Sequence, residues 1–140
     1  MFIRTIRDVL GTRPVPSITP GATVRDAAHT LDHFDIGALV VLDGERIAGV
    51  ISERDIIRRC VGQDADPARV LVAEVMTKSP KTIPADHGLA EAIRMMGEGH
   101  FRHMPVTEGE HCIGLLSIRD IPTEYRMMYE RFLEMRGKQG

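Results

Sequence analysis

The sequence predicts an α/β (α+β) protein made of two β-α-β-β-α units, related by a pseudo-twofold axis and packed through their sheets. Three observations carry this. GVISERDI at 49–56 returns as GLLSIRDI at 114–121, a displacement of 65 residues. At that displacement 18–56 aligns with 83–121 without a gap, and roughly ten of about 39 positions are identical, which marks an internal repeat. Two copies fall short of the ~3 that a stacked solenoid needs, so the copies are expected to pair face to face.

Each unit opens on a short extended piece, Ser17-Ile18-Thr19 and Lys81-Thr82-Ile83. A helix follows. Val24, Ala27, Ala28 and Leu31 recur at i, i+3, i+4 and i+7, and Leu89, Ile93 and Met96 form the corresponding stripe. ALVVLDGERIAGVIS then reads as two strands around an Asp43-Gly44 turn, and MPVTEGEHCIGLLS as two strands around Glu108-Gly109. Their near-continuous aliphatic runs suit sheets covered by helices. A second helix is predicted to start at each repeated octapeptide. The first unit spans 8–60 and the second 79–122. Between them, 61–78 is a linker and lead-in, with the turn-rich GQDADP and a short helix in ARVLVAEVM. After Pro122, 123–140 reads as a C-terminal helix and tail, with Tyr125, Met128, Phe132 and Met135 as its apolar stripe.

Composition bounds the function. The 140 residues are 43% hydrophobic, enough for a core shared between two small halves. A net charge of −2, with the signs interspersed, gives no overall attraction to nucleic acid or an anionic membrane. Aromatics at 4% and no Trp leave no stacking surface for single strands. The N-terminal MFIRTIRDVLG lacks the apolar core of a signal peptide, and no apolar run approaches the ~20 residues of a membrane span. Two cysteines, Cys60 and Cys112, fit free thiols in a reducing compartment, so a cytoplasmic location is expected.

The repeated Ser-x-x-Asp has two readings. A Ser ahead of an apolar helical run is a good N-cap, and an acid three residues on completes a capping box and suits the helix dipole. Alternatively, the small glycine before it lets a ligand approach the backbone, and the helix start suits an anion. On that reading Asp55 and Asp120 accept hydrogen bonds from a ribose diol, because an ionised carboxylate is acceptor-only with two oxygens. Ser and Arg beside them would face a phosphate. For either copy alone the cap is the stronger reading, and duplication of the whole context adds weight to the second.

The two units resemble the CBS domain, named for its occurrence in cystathionine β-synthase. Together they look like a tandem CBS pair from about Asp8 to Ile121, on the strength of GVISERDI, GLLSIRDI, VMTKSP and HMPV. The resemblance implies a regulatory module that binds AMP, ADP, ATP, S-adenosylmethionine or NAD(H) between the halves. It also implies a homodimer. By the same resemblance, one site combines Ser117, Arg119 and Asp120 with the stretch Leu10 to Ile18. The other combines Ser52, Arg54 and Asp55 with Met76, Thr77, Lys78 and Ser79-Pro80, and adenine is expected near Pro105 or Val40. Arg102 and His103, just ahead of the MPV strand, stand where nucleotide-binding members carry basic residues. Gly37-Ala38 stands at the aligned place in the first unit. The Asp120 site is therefore expected to be the stronger, against the alternative that Arg102 and His103 are solvated strand ends.

Three functions compete. The first is a sensor that binds an adenine nucleotide and modulates a separate, unidentified partner. The second is an oligomerisation scaffold with vestigial ligand sites. The third is an enzyme, and no nucleophile–base pair, paired acids or Gly-x-x-x-x-Gly-Lys loop supports it, so no catalytic residue is assigned. No cofactor is expected beyond the nucleotide acting as regulatory ligand. His100, His103 and His111 lack metal-ligand spacing, and no metal site is expected. Cys112, in an apolar strand, reads as packing. Cys60 follows Arg58-Arg59, which could acidify its thiol, and a structural role is the competing reading.

Overall fold

The computed structural model describes residues 5–139, with the side chains of Phe132 and of 137–139 outside the description. Helix α1 (Ile6–Leu10) comes first, then β1 (Ser17–Ile18), α2 (Val24–Phe34), the hairpin β2 (Ala38–Asp43) and β3 (Arg46–Ser52), and α3 (Glu53–Arg59). A 3-10 turn at Val61–Gln63 leads to α4 (Val72–Val75) and β4 (Thr77–Lys78). The second half runs β5 (Ile83–Pro84), α5 (Leu89–Gly99), β6 (His103–Glu108), β7 (His111–Ser117), a 3-10 turn at Ile118–Asp120 and α6 (Thr123–Gln139).

The two halves repeat down to their irregularities. β1 runs parallel to β2 with Ile18 opposite Val41, and β5 runs parallel to β6 with Ile83 opposite Val106. Each hairpin carries a bulge at the same place, between Val41 and Leu42 and between Val106 and Thr107. Each first helix ends on a left-handed residue, Asp35 or His100. Gly44 and Gly109 take the positive φ that the hairpin turns require.

Strand alternation sorts the side chains into three cores. Leu39, Val41 and Ile51 join Val24, Ala27 and Leu31 of α2 in the first core. Met104, Val106 and Leu116 join Leu89, Ile93 and Met96 of α5 in the second. Ala38, Val40, Val50 and Leu115 form a third, flanked by Val15, Leu42, Ile47 and Cys112, which joins the two sheets face to face. The protein is a mixed α/β fold of two small sheets with their helices.

The lead-in segments cross over. Ile6 and Leu10 of α1, ahead of the first unit, are buried in the second core. Ile6 and Arg7 donate backbone bonds to His87 and Ala85 at 3.2 and 3.0 Å. Val72, Val75 and Met76, ahead of the second unit, are buried in the first core. Val72 and Ala73 donate to Ala22 and Pro20 at 2.8 and 3.1 Å. Thr5 and Asp8 form a capping box on α1, a Thr-x-x-Asp signal of the same kind as the repeated motif.

Two expectations need correction. The octapeptide of the second unit opens only a 3-10 turn, where that of the first opens α3. Pro122 has no N–H to give the Ile118 carbonyl, so an α-helix cannot continue, and Ile121 N–H takes that carbonyl at 3.3 Å instead. The anticipated stripe of α6 is not its buried face. Tyr125 and Tyr129 pack on the second core, while Met128 and Met135 are 65% and 62% exposed. The Phe132 side chain of that stripe lies outside the described residues.

Candidate functional site

A cleft of about 2090 Å³ runs between the halves, and both Ser-x-x-Asp segments line it. That exceeds the ~300–1,000 Å³ usual for one small-molecule site, so there is room for more than one ligand. Its described walls carry eight Arg and Lys side chains against five Asp and Glu, although the whole chain has a net charge of −2.

The capping reading of Ser-x-x-Asp holds in both units, and the same residues line the cleft. Ser52 N–H and Oγ donate to Asp55 Oδ2 at 2.9 and 3.1 Å, and Asp55 N–H donates back to Ser52 Oγ at 3.2 Å. Ser117 N–H donates to Asp120 Oδ2 at 2.9 Å, and Arg119 N–H donates to Ser117 Oγ at 3.2 Å. The cap thus uses one carboxylate oxygen and fixes the rotamer, leaving Oδ1 to face the lead-in segment of the other unit. Asp55 Oδ1 accepts from Thr77 Oγ1 at 3.3 Å and lies 3.9 Å from Arg59 Nε. Asp120 Oδ1 accepts from Arg13 Nη1 at 3.1 Å. The carboxylates are 12% and 21% exposed, so they open to the cleft rather than to bulk solvent.

The motif glycines make room for packing, and Gly114 also lines the cleft. A Cβ on Gly49 would lie 2.6 Å from the Thr77 carbonyl oxygen and 2.8 Å from Met76 Sδ. On Gly114 it would lie 2.8 Å from Leu10 Cδ1. The close approach belongs to the crossed lead-in segments, which seat themselves on the strand just before the Asp. Arg59 strengthens one of these seats, donating from Nη1 to the Val75 and Met76 carbonyls at 3.2 and 3.1 Å at the end of α4.

Of the residues singled out from sequence, Ser52, Arg54, Asp55, Thr77, Pro80, Arg102, His103, Ser117, Arg119 and Asp120 line the cleft. Ile18 packs on the first core, and Lys78 is drawn into β4 opposite Gly49, with neither in the lining. Val40 and Pro105 are buried away from it; Ala38, Leu39, Val50 and Leu115 supply the apolar wall instead. His103 reaches across to Gly37 of the first unit. Burial pushes its imidazole pKa below 6.5; Asp120 and Glu53 pull it up, and Arg102 and Arg119 push it further down.

Sequence reasoning missed Arg58, Arg59, Lys81 and Arg126, which also line the cleft, and gave Arg13 no separate role. The first two continue the exposed side of α3, and their spacing from Arg54 was a readable signal. Arg126 arrives through the packing of α6, which no local pattern records. Burial pushes the Cys60 thiol pKa up, so Arg58 and Arg59 do not acidify it. Among the described residues, no group of three or more His, Cys, Asp or Glu is placed to hold a metal ion.

Comparison with known proteins agrees with this architecture. The chain matches the CBS domain family over residues 6–62 and 72–124. It is 32% identical over 114 residues to an uncharacterized 17.7 kDa protein of Acidianus ambivalens, covering 80% of this chain and 68% of that one. It is also 32% identical over 120 residues to a CBS domain-containing protein of Arabidopsis thaliana, covering 78% of this chain but only 22% of that longer protein. Among solved structures, a CBS domain protein of Pyrobaculum aerophilum complexed with AMP superposes with a TM-score of 0.78 at 31% identity, covering 91% of this chain and 97% of the other. Two matched domains, two crossed lead-in segments and one cleft between paired sheets make this chain a member of the CBS domain family, as a tandem CBS pair.

Proposed function

We propose that this chain is a regulatory module that binds adenine nucleotides between its CBS units and modulates a separate protein. The observation that carries this reading is the pair of capped carboxylates, each with Oδ1 turned into one basic-walled cleft. A ribose diol is a neutral, two-donor partner for such an oxygen, whose lone pairs can accept from both hydroxyls. Arg side chains beside it suit a phosphate through bidentate contacts. The Pyrobaculum relative's complex with AMP supports the choice of nucleotide. ADP, ATP, S-adenosylmethionine and NAD(H) share the adenosine portion and remain in the candidate set.

At the Asp120 site the binding residues are Asp120, Ser117, Arg119, Arg102 and His103. At the Asp55 site they are Asp55, Ser52, Arg54, Thr77 and Pro80. Basic charge is not confined to the Asp120 side, because Arg58 and Arg59 stand near Asp55. Output passes through a change in the arrangement of the two halves, which a partner or a second copy of the chain reads. Exposed apolar side chains on the helices, Phe34, Ile57, Met128 and Met135 among them, offer surfaces for that reading and for a homodimer in the cytoplasm.

The same exposed groups favour a second reading, an oligomerisation scaffold without ligand. A thermal-shift panel of AMP, ATP, adenosine, S-adenosylmethionine and NAD separates the two. A ligand at 100 times its Kd stabilises the native state by about 2.7 kcal/mol. A rise in Tm with AMP or ATP is the expected result. No shift with any of them at millimolar concentration leaves the scaffold, and turnover of a ligand during the incubation would restore the enzyme reading.

A further inference from the structure

The two carboxylates differ in what holds their free oxygen. Asp55 Oδ1 receives a neutral hydroxyl from Thr77, whereas Asp120 Oδ1 receives the guanidinium of Arg13. The cause is a one-residue slip in the repeat. Leu10 seats on Gly114 as Met76 seats on Gly49, and Ile18 pairs with Val41 as Ile83 pairs with Val106. Residues 11–17 bridge these anchors on one side, but only 77–82 on the other. The shorter bridge runs straight as β4 against β3, which places Thr77 on Asp55 and leaves Lys78 outside the cleft lining. The longer one turns at Gly11, with φ +58°, and carries Pro14 and Pro16, so it adds no strand to β7. Arg13 folds inward and is steadied by its Nε donating to the Leu10 carbonyl at 3.2 Å.

We propose that Arg13 makes the Asp120 site selective for nucleoside phosphates over nucleosides. It occupies the carboxylate that a ribose diol must take and transfers to the ligand's phosphate once displaced. The inference rests on the adenine-nucleotide reading above. The Arg13 side chain is 52% exposed, so its ion pair is weak enough for a ligand to displace. A nucleoside replaces the guanidinium on Asp120 and offers it nothing in return. A phosphate offers the released fork two oxygens, and the Nε anchor keeps that fork at the mouth of the site. At Asp55 the bonded group is an uncharged hydroxyl; Arg59 approaches Oδ1 only at 3.9 Å and is held by the Val75 and Met76 carbonyls, so a diol need not release it and the demand there is weaker.

The test follows the backbone amide resonances of Arg119 and Asp120 while AMP or adenosine is titrated into the full chain. Wild type should bind AMP at this site at least about tenfold more tightly than adenosine. Arg13→Gln should weaken AMP about tenfold and leave adenosine unchanged or tighter, so the preference collapses. Arg13→Lys, which keeps the charge but not the fork, should retain part of it. An AMP-to-adenosine ratio unaltered in Arg13→Gln overturns the inference while the nucleotide reading stands. Amides that respond to neither ligand in wild type overturn both.

Discussion

Gly37 of the first unit and His103 of the second lie against each other across the cleft: a Cβ on Gly37 would sit 3.4 Å from His103 Nε2. Asp120, Glu53, Arg102 and Arg119 face the imidazole, and burial dominates, holding its pKa below 6.5. The sign of the linkage follows. Well above pH 6.5 the ring is neutral both folded and unfolded and contributes nothing to the pH dependence. As pH falls below 6.5, the unfolded chain takes up a proton that the folded protein resists, so stability is lost towards the lower folded value. Denaturant unfolding at pH 7.5 and 5.5 should show a larger loss in wild type than in His103→Gln. Equal losses would mean that the ring is not held neutral by the fold.

The motif glycines should differ in what they tolerate. At Gly49 an added methyl meets the Thr77 backbone at 2.6 Å, and β4 cannot retreat without breaking its pairing. At Gly114 the obstacle is the far end of the Leu10 side chain, which can rotate. Gly49→Ala should cost about 1–3 kcal/mol by overpacking. Gly114→Ala should cost less, and the urea midpoints of the two variants give the order.

The crossed helices should hold the halves as one cooperative unit. Ile6 is fully buried in the second core although it precedes the first unit. Ile6→Ala should therefore destabilise the protein by about 2–5 kcal/mol, as a buried large-to-small change does. Met135→Ala, at a position 62% exposed, should stay within about 0.5 kcal/mol. Calorimetric melting of the two variants makes the comparison, and near-equal Tm values would contradict the docking of α1.

Replacing each carboxylate separates its two duties. Asn keeps one oxygen acceptor for the cap but loses the charge. Asp120→Asn and Asp55→Asn should cost at most about 0.5–2 kcal/mol in stability, the range for a lost cap. AMP affinity should fall by about tenfold or more at the altered site, since hydrogen bonds to a charged partner contribute about 1.5–3 kcal/mol. Calorimetric titration that shows full AMP affinity in both variants would remove the diol assignment.

Much of the fold is legible locally. The near-continuous apolar runs within 38–43 and 103–108, the Asp43-Gly44 and Glu108-Gly109 turns and the stripes on α2 and α5 each depend on residues within a few positions of one another. The capping boxes at Ser52 and Ser117 are equally local, spanning three residues. Pro122 shows the limit of this: it sits one place past the repeated octapeptide and stops the second helix that the octapeptide starts.

By itself, the order of residues determined a duplicated β-α-β-β unit and two carboxylates at matching strand ends, because helix period, strand period and turn chemistry act over short spans of chain. The crossing of the two lead-in segments was implied by the family resemblance; the tertiary structure alone decided that Leu10 and Met76 fill the space beside the motif glycines, and that the Arg13 guanidinium takes Asp120 Oδ1 across 107 positions. Those outcomes come from burying apolar faces against whichever surface closes best. One added residue in a connecting loop accompanies a change of hydrogen-bond donor, a guanidinium on Asp120 and a hydroxyl on Asp55.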